Sequence, residues 1–206
     1  MKEIEILVEV YDDLDKVRNA LDKCSYVGIN KTVDEYYYDP LRNTLKPSEN
    51  GGLDHCLRLR EKNQEYSITY KDDVFEGDKW LYSNEYETKV ESIEITREIF
   101  KKLGLVKFIE INNKKETYTF GDYEIVIENV KDLGIFMEVE YCTYDEVNVS
   151  EVKCKIQEFI NSLGINVSDE LNMGKPEMYM KKHNIRIDYI YIIILINTRQ
   201  TIKKVI

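Results

Sequence analysis

The segment that decides the fold lies at the start of the chain, where residues 2–10 read KEIEILVEV. The even positions are apolar: Ile4, Ile6, Val8 and Val10. The odd positions are mainly acidic: Glu3, Glu5, Leu7 and Glu9. A period of two predicts a β-strand with one face against a hydrophobic layer and a second face that carries carboxylates.

The same alternation recurs along the chain and predicts further strands with one apolar and one charged face. Residues 56–61 and 65–71 predict a hairpin whose charged face carries Arg58, Arg60 and Lys71. Residues 82–90 place Glu85 and Glu87 on one face, and residues 136–141 do the same for Glu138 and Glu140. The remaining strands are predicted at 33–39, 106–111, 117–120 and 123–128. Helical spacing predicts helices after the first strand, at 93–103, at about 151–163 and after a loop that begins at 168.

The charged faces differ in kind, because some are acidic and others are basic. A flat sheet could expose any one of these faces to water. About eight strands rolled into a barrel, with the helices outside, would instead bring all of the charged faces into one polar interior. We therefore predict an α+β fold, a closed antiparallel eight-stranded β-barrel with flanking helices. The barrel domain would span residues 1–184, followed by an apolar C-terminal tail at 185–206.

Composition narrows the classes of function. The chain has 206 residues and a net charge of −10, which argues against a nucleic-acid partner because such binding needs a basic face. The longest apolar run, 189–196, is too short to cross a bilayer, and the charged N-terminus predicts no signal peptide. The four cysteines lack C-x-x-C spacing, which predicts reduced thiols and a cytoplasmic location.

Two kinds of charged pair suggest a chemistry. Carboxylates at positions i and i+2 of a strand are neighbours, and Mg²⁺ and Mn²⁺ prefer hard oxygen ligands of this kind. Guanidinium groups match phosphate oxygens in bidentate geometry. Each pair alone is more often a solvated strand face, so the inference depends on their combination and order.

The ordered set of motifs resembles the CYTH superfamily, which holds class IV adenylyl cyclases, thiamine triphosphatases and inorganic triphosphatases. The resemblance runs to about residue 165 and is most like the class IV adenylyl cyclase branch. It is carried by EIE at 3–5, DEYYYDP at 34–40, LRLRE at 57–61, TYK at 69–71, EYE at 85–87 and LGIFMEVE at 133–140.

The resemblance implies a triphosphate tunnel and assigns roles to residues within it. Divalent metal, Mg²⁺ or Mn²⁺, would be bound by Glu3, Glu5, Glu138, Glu140 and Glu128. The substrate would be contacted by Arg58, Arg60, Lys71, Lys115, Glu85 and Glu87. No residue is assigned as catalytic. The substrate would be a small-molecule triphosphate: ATP, thiamine triphosphate or inorganic triphosphate.

The implied function is that of a class IV adenylate cyclase, which converts ATP to cyclic AMP and pyrophosphate. A triphosphatase is the first alternative. A catalytically impaired binding module is the second, because Leu7 and Asn113 stand where the family has lysines. Lys89 or Lys114 could replace the missing charge, and Gly174-Lys175-Pro176 is interpreted as an ordinary turn. The tail would pack against the barrel or against a second copy in a homodimer.

Overall fold

The computed structural model describes residues 1–48 and 52–185, which form a closed antiparallel β-barrel flanked by helices. The strands in these ranges are Lys2–Glu9 (β1), Ser25–Tyr38 (β2), His55–Lys62 (β3), Glu65–Glu76 (β4), Lys79–Val90 (β5), Val106–Phe120 (β6), Tyr123–Val130 (β7) and Gly134–Thr143 (β8). The helices are Leu14–Ala20 (α1), Ile93–Lys102 (α2), Val149–Ser162 (α3) and Lys175–His183 (α4). Around the barrel the order is β1-β5-β4-β3-β2-β6-β7-β8. The predicted fold class is therefore confirmed. Of the proposed tail, residues 186–206 lie outside the described ranges.

The largest apolar core lies outside the barrel wall rather than inside it. The even-numbered residues of β1 are buried against α3, whose Ile156 and Ile160 are at most 1% exposed. The odd-numbered residues of β1 point into the barrel. Burial of the apolar face on α3 thus fixes the direction of the acidic face, because a one-residue change of register would exchange the two.

Strand β6 is a single element of 15 residues, where the sequence predicted two short strands. It pairs with β2 from Ser25↔Thr119 to Tyr38↔Val106, without a break at the polar segment 112–116. The prediction was wrong there because the segment is polar on both faces. Asn113 and Lys115 point inward, and Lys114 is exposed outside.

The wall between β1 and β5 is open over most of its length. These strands pair only at Lys2↔Asn84 and Glu3↔Ser83. Toward the C-terminal end of β1, residues 166–171 run along its free edge. The backbone N–H of Leu171 donates to the carbonyl oxygen of Leu7 at 2.8 Å. Residues 166–171 lead the chain to α4, whose Met180 packs into the apolar cluster around Leu7. Helix α4 thereby closes the end of the barrel near Leu7, which we call the lower end.

The expectations about membrane-spanning segments and about reduced cysteines can be compared with the described residues. None of their helices is long and apolar enough to span a membrane. All four cysteines are free thiols.

Candidate functional site: a charged tunnel inside the barrel

The barrel encloses a cavity of about 460 Å³. Its lining includes every predicted site residue except Glu128, namely Glu3, Glu5, Arg58, Arg60, Lys71, Glu85, Glu87, Lys115, Glu138 and Glu140. In the order of strands, β3 with its arginines lies across the barrel from β8 with its glutamates. The cavity thus has a basic wall and an acidic wall that face each other.

Arg60 is fixed on the basic wall by Asp34. The two residues are register partners on β3 and β2, and Arg60 donates from Nε at 2.6 Å and from Nη2 at 2.7 Å to the two carboxylate oxygens. Asp34 is 1% exposed. Burial alone would raise the pKa of Asp34, but the guanidinium holds it well below its usual range. Asp34 was quoted in the family pattern but was not assigned to the site, and its contact orients Arg60.

Arg58 makes longer contacts with its neighbours than Arg60 does. Its Nη2 donates to Thr69 Oγ1 at 3.0 Å, and the Thr69 hydroxyl donates to Glu87 Oε2 at 2.7 Å. Glu87 Oε2 lies 3.6 Å from Arg58 Nη2. Arg58 Nε has no acceptor among the described residues. A buried guanidinium with unused donors is suited to an anionic ligand.

Lys71 connects the two walls. Its ammonium lies 2.7 Å from Glu3 Oε1 and also contacts Glu85. Burial alone would lower the pKa of Lys71, but Glu3, Glu5 and Glu85 outweigh it and raise the pKa well above the ordinary value. Lys71 is therefore a permanent cation in the tunnel.

The acidic wall holds a cluster of carboxylates that could bind a metal ion. One oxygen from each of Glu5, Glu138 and Glu140 lies within 4.8 Å of the others. Register explains the cluster, because Glu5 is paired with Glu140 across β1 and β8. Burial and the charge of Glu138 raise the pKa of Glu5 well above its usual value, and burial with Glu3 does the same for Glu140. Crowded hard-oxygen ligands of this kind fit Mg²⁺ or Mn²⁺, whose charge would relieve the repulsion.

Glu128 occupies a different environment. It is 0% exposed and contacts two lysines, Lys115 directly and Lys175 at 3.2 Å. Its predicted role as a metal ligand stays a prediction, and its observed neighbours are cations.

Lys175 was missed by the sequence analysis. The interpretation of 174–176 as an ordinary turn was wrong, because Lys175 is the first residue of α4 and its ammonium enters the cavity and contacts Glu138. Burial alone would lower the pKa of Lys175, but Glu128 and Glu138 raise it above its ordinary value. The signal was present in the sequence: a glycine, a proline and Glu177 at the third helical position are typical of a helix start.

The two positions at which a neutral residue stands in place of a lysine of the family pattern are both buried. Leu7 is 1% exposed and belongs to an apolar cluster with Tyr36 and Met180. Asn113 is 5% exposed. Of the suggested replacements, Lys114 is exposed on the outer face of β6, and Lys89 is exposed near the end of β5, where it contacts Glu65 at 3.1 Å and does not line the cavity. Lys175 is the additional cation that reaches the acidic wall.

Comparison with known proteins identifies the family. The model of the CYTH domain matches residues 1–172, and the chain belongs to this family. A protein of Methanocaldococcus jannaschii, named as a candidate adenylate cyclase, is 32% identical over 180 residues, which are 86% of this chain and 98% of that protein.

Solved structures show the same fold. The PH1819 protein from Pyrococcus horikoshii OT3 superposes with a TM-score of 0.72 and 21% identity over 86% of this chain and 99% of that one. A structure from Hippeastrum, described as a candidate adenylyl cyclase with a dominant triphosphatase activity, gives a TM-score of 0.58 and 13% identity over 85% and 93% of the two chains.

Proposed function

We propose that this protein binds a triphosphorylated small molecule together with a divalent cation inside its barrel and cleaves it, with the chemistry of a class IV adenylate cyclase. The observation that carries the proposal is the enclosed basic wall facing a cluster of carboxylates. The cations that would contact the phosphates are Arg58, Arg60, Lys71, Lys115 and Lys175. A triphosphate carries about four negative charges, and its cleavage depends mostly on positioning and charge neutralisation.

Each side chain has a distinct part in this proposal. Arg60, fixed by Asp34, and Arg58, with unused donors, would bind phosphate oxygens on one wall. Lys71 and Lys175 would exchange contacts with carboxylates for contacts with phosphate. Glu85 contacts Lys71 and Glu87 contacts Arg58, and these carboxylates would orient the two cations.

The acidic wall supplies the proposed metal ligands. Glu5, Glu138 and Glu140, with Glu3 beside them, would hold Mg²⁺ or Mn²⁺, and the bound ion would neutralise phosphate charge and polarise a phosphoryl oxygen. Glu128 fits better as the counter-ion that positions Lys115 and Lys175, because those are its observed contacts.

In the cyclase reaction, the 3′-hydroxyl oxygen of ATP forms a bond to the α-phosphorus. The bond from that phosphorus to the bridging oxygen breaks, and pyrophosphate leaves with the electron pair. The hydroxyl proton passes to a general base. The name of the Methanocaldococcus jannaschii relative supports this reaction.

A triphosphatase reaction is the second candidate. Water would attack the terminal phosphorus, and orthophosphate and the shortened chain would be released. The description of the Hippeastrum structure favours it, although at 13% identity the likeness itself shows only the fold. The same tunnel could serve both reactions, since one fold can host several chemistries.

The third candidate, an impaired binding module, was based on Leu7 and Asn113. Lys175 weakens that argument, because it brings a cation to the acidic wall beside Leu7.

We also propose a cytoplasmic location, which the four free thiols support.

Ligand-dependent thermal stability tests the proposal. A ligand that binds only the native state at about 100 times its Kd stabilises it by about 2.7 kcal/mol. We expect inorganic triphosphate with Mn²⁺ to raise the Tm of the wild type. Arg58→Ala should lose most of that shift, while Arg42→Ala, a control on an exposed arginine outside the cavity, should keep it. Equal shifts in all three proteins would contradict the proposed site.

A further inference from the structure

One edge of β5 is left without a neighbouring strand. Strand β1 pairs with this edge at Asn84 and Ser83, and the N–H of Glu85 donates to the carbonyl oxygen of Met1 at 2.9 Å. Beyond that point, residues 86–90 have no strand beside them on this side within the described ranges, while β4 covers their opposite side. We call residues 86–90, which read YETKV, the β5 edge.

The β5 edge presents backbone groups that can pair with another strand. The N–H and C=O groups of successive residues in a strand point alternately to its two sides. Both groups of Glu85 face β1, because its N–H donates to Met1 and its carbonyl oxygen accepts from the Met1 ammonium at 3.3 Å. The backbone groups of Glu87 and Lys89 therefore face the same side. Neither residue has a backbone partner there among the described residues, so the edge could accept a strand from another chain.

The side chains of the β5 edge restrict what can pair with it. Residues 86–89 are exposed, Tyr86 to 63%, and the edge contains no proline. The pairing of residues 86–90 with β4 is regular, whereas residues 25–31, where β2 extends past β3, are interrupted by a bulge. Charged side chains on an edge discourage pairing with an arbitrary strand. A partner must therefore match the charges of Glu87 and Lys89.

We propose that the β5 edge is an interface at which two copies of this chain pair as antiparallel strands about a two-fold axis at Thr88. In this register Glu87 of each copy lies opposite Lys89 of the second copy, and Tyr86 lies opposite Val90. Pairs of opposite charge and pairs of an aromatic with a β-branched residue stabilise adjacent strands. An axis at Glu87 would instead oppose two glutamates, and an axis at Lys89 would oppose two lysines. Charge complementarity thus selects one register.

The backbone geometry agrees with that register. Glu87 and Lys89, whose N–H and C=O groups face the free side, would form the hydrogen-bonded pairs, and Thr88 would lie at a non-hydrogen-bonded position. Lys89 now contacts Glu65 at 3.1 Å, and both side chains are exposed, so that contact is weak enough to be exchanged. Glu87 lines the tunnel, so the second copy would also bring a cation beside the site. One strand pair is a small interface, and we expect a dimer that depends on protein concentration.

Sedimentation velocity of the full chain over a range of concentrations tests the interface. The wild type should shift from monomer to dimer as its concentration rises. Lys89→Glu and Glu87→Lys should each raise the dimer Kd about tenfold or more, because like charges then face each other. An equimolar mixture of the two variants should associate as the wild type does, since an acidic edge then faces a basic one. Lys79→Glu, at the other, exposed end of β5, is the control and should leave the Kd unchanged.

Two results of that measurement would overturn the inference. One is a wild type that stays monomeric at every concentration, as it would if another part of the chain covered this edge. The other is a mixture of the two charge variants that associates no better than either variant alone.

A disulfide across the axis tests the register without changing a charge. Thr88→Cys would place two thiols opposite each other, with the Cα atoms about 4.5 Å apart and within disulfide range. Tyr86→Cys is the matched control, because its two copies would lie four residues apart along the strands, or about 13 Å. Under mild oxidation Thr88→Cys should form a covalent dimer about tenfold faster than Tyr86→Cys. The wild type, with its four free thiols, gives the background. Equal rates for both variants would overturn the proposed pairing.

Discussion

The ammonium of Lys175, at the start of α4, contacts the carboxylate of Glu138 on β8 inside the barrel, although 37 residues separate them in the chain. The lower end of the barrel is thus closed by a helix that also contributes a buried cation to the acidic wall. Leu7, where the family has a lysine, is the register partner of the same Glu138. We infer that Lys175 performs the electrostatic role that Leu7 cannot.

Removing the charge of Lys175 tests this inference. Lys175→Met should weaken inorganic triphosphate binding by about tenfold or more, since a hydrogen bond to a charged group contributes about 1.5–3 kcal/mol. Lys175→Arg should retain most of the binding because it keeps the charge. The Tm shift with ligand measures both. Lys182→Met, on the exposed part of the same helix, is the control, and a loss there equal to that in Lys175→Met would contradict the inference.

Restoring the lysine of the first strand gives a complementary prediction. Leu7→Lys should lower the Tm, because it places a charge in an apolar cluster, and it should not increase turnover. Combined with Lys175→Met, however, it should recover part of the lost triphosphate binding, because the long stem of a lysine can reach out of an apolar site. A large gain in turnover from Leu7→Lys alone would show instead that Leu7 limits the natural protein.

Much of the tunnel could be predicted from the sequence. The tunnel residues that were not predicted, Lys175 and Asp34, were missed for physical reasons. Strict alternation predicted the inward direction of Glu3, Glu5, Arg58 and Arg60, because a strand has only two faces. Lys175 was missed because it comes from a short helix whose place at the barrel end depends on packing around Leu7. Asp34 was not assigned to the site because its contact with Arg60 follows from the pairing of β2 with β3, which no local pattern contains.

Metal binding should depend on pH in a defined direction. The pKa values of Glu5 and Glu140 are raised in the folded state. Protonation of these two groups therefore stabilises the fold at pH values below the pKa of an unfolded glutamate. That stabilisation is lost as the pH rises through the folded-state pKa. Mn²⁺ competes with these protons. The Tm increase caused by Mn²⁺ should therefore grow as the pH rises above the pKa of an unfolded glutamate and Glu5 and Glu140 lose their protons.

Glu5→Gln provides the comparison for that measurement. It removes one carboxylate while keeping the shape of the side chain, so the Mn²⁺-dependent increase in Tm should become smaller and less dependent on pH. An increase that is as large in Glu5→Gln as in the wild type at every pH would place the metal elsewhere.

Asp34→Asn should affect both stability and binding. Removing one partner of a buried ion pair costs about 3 kcal/mol or more, because the other charge stays buried and uncompensated. Denaturant unfolding would measure that cost, and we expect a parallel loss of triphosphate affinity because Arg60 is no longer oriented. Glu110→Gln, which breaks a partly exposed contact with Lys107, should change stability by about 1 kcal/mol or less. A stable Asp34→Asn variant with wild-type affinity would exclude the proposed orienting role.

The central claim is that the charged tunnel binds and cleaves a triphosphate. The most direct test is incubation of the wild type and Arg58→Ala with ATP and Mn²⁺, followed by identification of the phosphorus-containing products by ³¹P NMR. The account predicts cyclic AMP and pyrophosphate from the wild type, and a strongly reduced rate from Arg58→Ala. Release of orthophosphate instead would select the triphosphatase reaction in the same tunnel. Absence of any product from the wild type, or equal rates from both proteins, would contradict it.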